Sequence, residues 1–240
     1  MRRLALSVRS MSRSIVPVPT FAVALGLLWG AASESDAAIR WGINAFGGYQ
    51  GYSMGDVNDV INQVNEDLST PGDEARIDEL KGDISVGGGV KADLNPNWRV
   101  YLQYEHLKDD TGGGTLVGSF TLDVSANAFL AGATYFFPSQ SKARVGVGAG
   151  LGYYDFGGDM EGNATIGTTP LAGSASAGGS TIGFHGLGEL DVTLSERWHF
   201  DAAAGYRSAK GELEAEGEST GIDLDWSGIM TRVGVTFFVR

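Results

Sequence analysis

Eight stretches of this chain alternate large apolar residues with small or polar ones at period two, as strands do when one face meets an apolar medium. Trp41, Ile43, Ala45 and Tyr49 form the first row, and Ile84, Val86, Gly88, Val90 and Ala92 the second. Trp98, Val100, Leu102 and Tyr104 form the third, and Phe120, Leu122, Val124, Ala126, Ala128 and Leu130 the fourth. Four more follow: Ala143 to Tyr153 in steps of two, then Ile182, Phe184, Leu190 and Val192, then Trp198 to Tyr206 in steps of two, and last Ile229, Val233, Val235, Phe237 and Val239. Three connections are short and rich in Pro, Asn and Ser (residues 95–97, 138–141 and 195–197), the chemistry of tight turns. They alternate with four long ones, at residues 53–81, 108–116, 156–180 and 209–221. Eight antiparallel strands with both termini on the short-turn side give this order, and membrane barrels have short turns at one end and long loops at the other.

A soluble barrel with an apolar lumen is the rival, and the size of the residues on the polar face separates the two. That face is built from Gly87, Gly89, Gly146, Gly148, Gly150, Gly152, Gly183, Ala203 and Gly205, within a total of 37 glycines. Small side chains suit the narrow interior of eight strands, whereas a face turned to water has no reason to be small. Trp41, Trp98, Trp198, Tyr135, Phe136 and Phe237 fall beside the short turns, and Tyr49, Tyr104, Tyr153 and Tyr206 toward the long loops, the placement of two aromatic girdles. The expected fold is therefore all-β: an eight-stranded antiparallel transmembrane β-barrel with a helical segment in the first long outer loop. Arg is expected to be costly at Val124 and Val147 on the lipid face and tolerated at Gly221.

Residues 1–37 read as a signal peptide and residues 38–240 as the barrel domain. Arg2, Arg3, Arg9 and Arg13 precede an apolar run at residues 21–32, and Ser35-Asp36-Ala37 supplies small residues for cleavage. No run reaches the length of a transmembrane helix, and with no cysteine the chain has neither a lipid-anchor site nor a disulfide. A formal charge of −12 makes nucleic acid an unsuitable partner.

The whole mature chain resembles small outer-membrane β-barrel proteins of the OmpW and OmpA-like group. The resemblance is carried by the signal peptide, the eight strands, the strand end Tyr135-Phe136-Phe137-Pro138 and the last strand from Val233 to Arg240. That family usually ends in an aromatic residue read by the barrel-assembly machinery; here Arg240 is last and Phe238 stands two places earlier. The resemblance implies an outer-membrane location, outer-membrane lipid and lipopolysaccharide as surroundings, and the assembly machinery as a partner during biogenesis. It also implies a role in envelope integrity or in slow passage of small molecules, hydrophobic ones among them. A surface scaffold presenting acidic loops for adhesion or partner binding is the alternative.

Arg99, Glu105, Arg144, Glu189, Asp191, Asp201, Arg207 and Arg232 fall on the polar face of their strands and are expected to pair inside the barrel, since unpaired buried charges are costly. Such a network either fills the lumen or gates it. From Ser53 to Leu68 the period becomes helical, with Val57, Val60, Ile61, Val64 and Leu68 on one stripe and Pro71-Gly72 after it, and the stripe is expected to cover the barrel mouth. Glu212, Glu214, Glu216 and Glu218 recur at period two, which on one extended strand sets carboxylates about 7 Å apart and offers a loop for divalent cations or simply a solvated acidic edge. Gly146-Val147-Gly148-Ala149-Gly150-Leu151-Gly152 has no helix after it and is no dinucleotide fingerprint. His106, His185 and His199 lie on three strands without the spacing of a metal site, and His106 has no serine and carboxylate to act with. No enzyme activity, metal or cofactor is expected.

Overall fold

The computed structural model describes residues 39–68, 77–115, 118–166, 169–215 and 217–239. Residues 1–37, with the signal-peptide reading, lie outside them. Ten strands and one helix follow in order: β1 (Arg40–Gly51), α1 (Gly55–Leu68), β2 (Gly82–Asp93), β3 (Trp98–Thr115), β4 (Gly118–Phe136), β5 (Ala143–Ile166), β6 (Thr169–Thr193), β7 (Trp198–Ser208), β8 (Lys210–Ala215), β9 (Glu218–Asp225) and β10 (Gly228–Val239). Each strand from β1 to β6 pairs antiparallel with the next, and β10 closes the ring between β7 and β1. In the closing register Trp41 stands opposite Val239 and Gln50 opposite Met230. Eight strands thus form the barrel, while β8 and β9 make a hairpin inside the last long connection.

The rows of Trp41, Ile84, Trp98, Val145, Ile182, Trp198 and Ile229 face outward, as the small residues on the opposite face of these strands predict. Aromatic contacts join neighbouring strands at both ends of this apolar band. Trp98 meets Tyr135 at 5.2 Å and Trp198 meets Phe237 at 5.0 Å near the short turns, and Tyr104 meets Phe129 at 5.4 Å toward the long loops.

The fourth row is reversed. Leu122, Val124, Ala126, Ala128 and Leu130 point into the barrel, with Val124 2 % exposed against 53 % for Val147 on β5. Asp123, in the phase opposite to that row, lies outside and pairs with Lys108 at 3.3 Å. Phe136, expected in a girdle, is fully buried, and Phe137 is the exposed aromatic. Both faces of lower β4 are apolar, since Phe129, Ala131, Ala133 and Tyr135 alternate with the inward row, so period two alone does not say which face is out. In the upper part the polar Thr121, Asp123, Ser125 and Asn127 are on the outer side and an apolar core lies inside.

Two of the long loops are not loops. β3 and β4 pair without interruption to Thr115 and Gly118, and β5 and β6 to Ile166 and Thr169. The strands β1, β2, β7 and β10 stop earlier, so at the long-loop end the wall continues on one side only. Gly221 lies on β9 with φ +70°, a left-handed conformation costing a side chain about 1–2 kcal/mol, and Arg there is not the neutral change expected of a loop.

Candidate functional site

The interior is filled in two zones, one charged and one apolar. Near the short turns Arg99 is fully buried and touches four carboxylates: Asp93 at 2.6 Å, Asp191 at 2.8 Å, Glu189 at 3.1 Å and Asp201 at 3.3 Å. Lys91 pairs with Asp201 and Glu189 at 3.1 and 3.2 Å. Arg144 reaches Asp191 at 3.0 Å, Arg40 reaches Asp93 at 2.9 Å, and His199 Nδ1 lies 2.9 Å from Asp191. Hydroxyls meet the remaining acceptor sites, Thr134 donating to Glu189 and Thr236 to Asp201. Four basic side chains (Arg40, Lys91, Arg99, Arg144) thus meet four carboxylates, so the cluster is neutral as a whole, the condition under which buried charge is tolerable. Phe136 and Phe238 form its apolar floor, with the Arg144 guanidinium 4.4 Å and the Arg40 guanidinium 4.0 Å from their ring centres.

One layer higher Glu105 accepts from Arg207 at 2.6 Å, Ser85 at 2.8 Å, Gln50 at 2.9 Å and Arg232 at 3.0 Å. The eight charged residues of the polar faces therefore fall into two groups, with Glu105, Arg207 and Arg232 apart from the other five. Lys91, Asp93, Arg40, Gln50 and Ser85 complete the groups; each sits on the polar phase of its own strand, and that phase was their signal. His185 is buried beside Tyr101, whose hydroxyl lies 2.6 Å from Nε2. His106 is half-buried on the outer side and meets Asn127 at 3.1 Å.

Glycines make room for these side chains. A Cβ on Gly150 would come within 2.8 Å of the His185 ring, and one on Gly152 within 2.7 Å of Leu130 and Tyr154. Between the two charged groups a cavity of about 30 Å³ is bordered by Asn44, Lys91, Gln103, Glu189 and Arg232. That is space on the scale of a single water, far below the bore of a channel.

Above Glu105 the interior turns apolar. Leu107, Leu122, Val124, Ala128, Leu130, Tyr154, Phe156, Leu224 and Trp226 form one core, closed by Tyr52 and Met54 just before α1 and by Val57 and Ile61 on it. Val57 and Ile61 of the predicted stripe are buried and Val60 is exposed. The Asn side chains of α1 hold the chain that returns to β2. Asn58 gives to the Leu80 carbonyl at 2.9 Å and takes from its N–H at 2.8 Å, and Asn65 does the same for Ile77 two turns later. The helix thus satisfies backbone groups of Ile77 and Leu80, which among the described residues belong to no strand, and its buried face covers the apolar core.

The acidic row does not lie along one strand. Glu212 and Glu214 are on β8, Glu218 is across the turn on β9 opposite Ala215, and Glu216 lies outside the described residues. Glu212 instead accepts a hydrogen bond from the Ser219 hydroxyl. Among the described residues no group of three or more acidic or histidine side chains has the geometry to hold a metal ion.

No protein-family model matches the chain, and no curated protein does. Solved structures are similar in fold. A major outer membrane protein from Thermus thermophilus superposes with a TM-score of 0.51 at 11 % identity, covering 85 % of this chain and 100 % of that one. The outer membrane protein OprG from Pseudomonas aeruginosa gives 0.46 at 14 % identity over 84 % and 94 %, and Neisserial surface protein A gives 0.38 at 12 % over 85 % and 99 %. The first of these carries the likeness, and at 11 % identity it is one of fold alone, that of a small β-barrel.

Proposed function

We propose that this chain is an outer-membrane barrel that serves the envelope as a closed structural element and carries its long-loop end at the cell surface. The observation that supports this most is the filled interior: a neutral charge cluster below, an apolar core with a helical seal above, and about 30 Å³ of free space between the charged groups. Slow passage of small molecules is the weaker reading, because a route through the lumen must displace both layers. The outward band of aliphatic side chains bounded by aromatics fits lipid, and a signal peptide read by the export machinery fits the same location. No enzymatic activity is assigned.

Planar-bilayer recording tests the closed lumen: the unmodified protein should give no stable, large conductance. A large and weakly selective one would overturn the structural reading. The lipid face has its own test. Val147→Arg should cost about 2–4 kcal/mol of stability in vesicles if that side chain meets the bilayer midplane, whereas Asp123→Arg, outside the band, should stay within about 0.5 kcal/mol. Equal tolerance at both positions would contradict the membrane placement.

A further inference from the structure

At the long-loop end β6 becomes the edge of a projecting sheet. Residues 184–193 pair with β7, and Gly178 meets β8 at a single position, so the backbone from Ala172 to Ala177 pairs with β5 alone among the described residues. Such an edge presents a row of unsatisfied N–H and C=O groups, and proteins usually guard it with Lys, Pro or a bulge. Here the segment reads Ala172-Gly173-Ser174-Ala175-Ser176-Ala177, with neither a charge nor a proline, and residues 172–176 are exposed. The opposite edge of the sheet, on β3, carries Lys108, Asp109 and Asp110.

Behind this bare edge stands a row of carboxylates. Ser174 lies opposite Glu161 and Ser176 opposite Asp159 on β5, so each pair shares a face. Asp159 lies opposite Asp123 on β4, and Asp123 opposite Asp110 on β3. Asp123, Asp159 and Glu161, with Ser174 and Ser176, border a depression of about 600 Å³ on the outer side of the sheet. Lys108 meets Asp110 and Asp123 at 3.4 and 3.3 Å, which leaves Glu161 and Asp159 as the pair nearest the edge with no cation on them among the described residues.

We infer that the β6 edge, Ala172–Ala177, accepts an extended segment of a partner protein that is basic on every second residue. Main-chain pairing to an open edge supplies affinity in this mode, and alternate side chains supply specificity. The added strand would stand two strand spacings, about 10 Å, from β5. A Lys or Arg stem spans most of that gap, and Ser174 and Ser176 are short enough to let it pass. The residues between would face Ala175 and Met160 on the other side of the sheet, so the matching segment alternates basic with small apolar residues. A second copy of this chain fits poorly, because it brings the same carboxylates toward the same edge.

The inference rests on the outward placement of the long-loop end, which a separate arm of the experiment tests. Labelled peptides of about nine residues, alternating Lys with Val or Glu with Val, are titrated by fluorescence anisotropy onto the full protein in lipid nanodiscs. The Lys peptide should bind and the Glu peptide should not. Asp159→Asn with Glu161→Gln should weaken the Lys peptide about tenfold. Of two Lys peptides N-methylated on alternate residues, one should lose binding and the other keep it, since only one set of N–H groups faces β6. Equal binding by both methylated peptides, indifference to the double substitution, or self-association of the protein that the Lys peptide disperses would overturn the proposal. Labelling of Ser176→Cys on intact cells by an impermeant maleimide checks the location: its failure would overturn the surface placement and leave the peptide result on purified protein standing.

Discussion

Arg99→Ala should lower the unfolding free energy of the barrel by about 3–5 kcal/mol, the cost of leaving buried charge without its partner. Arg99 has no exposed surface and, among the described residues, is the one side chain that touches Asp93, Glu189, Asp191 and Asp201 together. Removing it turns a balanced cluster of four positive and four negative groups into one with an uncompensated carboxylate, in a space too small to admit much water. Lys91 and Arg144 remain and relieve part of the loss, because each already pairs with two of those carboxylates. Arg207→Ala strands Glu105 in the same way, but Arg232 still holds that carboxylate at 3.0 Å, so its cost should fall at or below the lower end of the range. Urea unfolding in vesicles followed by tryptophan fluorescence gives both values. A change in Arg99→Ala below about 1 kcal/mol, the worth of a solvated surface pair, would mean that the cluster is hydrated rather than buried.

The second large effect is expected at Trp226. Its side chain is fully buried where β9 passes into β10, edge-on to Tyr52 with ring centres 4.8 Å apart, under the first turns of α1. Trp226→Ala should cost about 3–5 kcal/mol, lost contact and cavity together. The loss should be greatest at the long-loop end, because Trp226 lies between β9 and β10 under α1 while the pairing that closes the ring runs below it. Limited proteolysis is therefore the sharper measurement: cleavage within α1 should become rapid while the barrel stays protected, and Trp226→Phe should restore most of the resistance. An unchanged α1 would show that the Asn58 and Asn65 clamps, and not the apolar core, hold the helix.

Sequence alone determined the eight strands of the ring, their antiparallel order and seven of the eight faces, while the β8–β9 hairpin was read as loop. Those properties are local or nearly so: side chains alternate with period two whatever the strand packs against, and the Pro, Asn and Ser of the three short turns mark the ends of the strands they join. The charged residues of the interior were legible for the same reason, since Arg99, Glu105, Glu189, Asp191, Asp201, Arg207 and Arg232 each sit on the polar phase of a strand with one clear apolar face. The helical stripe was readable too, because Val57 and Ile61 are four apart between turn residues. Partners were not legible. That Arg99 meets Asp191 of β6, or Arg207 meets Glu105 of β3, depends on how the strands are staggered around the ring, and no pattern along one strand encodes its register against a strand across the barrel.

The face of β4 belongs to the tertiary structure for a different reason. Leu122, Val124 and Ala126 are apolar because a helix and a core cover them, and a lipid-facing row has the same letters. Alternation reports that two environments differ without saying which is lipid, which is water and which is protein. The same limit hid the extended hairpins: Gly-rich and Ser-rich residues such as Gly173, Ser174 and Ser176 read as a loop along the chain, and it is pairing with Glu161 and Asp159 across the sheet that makes them a strand with an open edge.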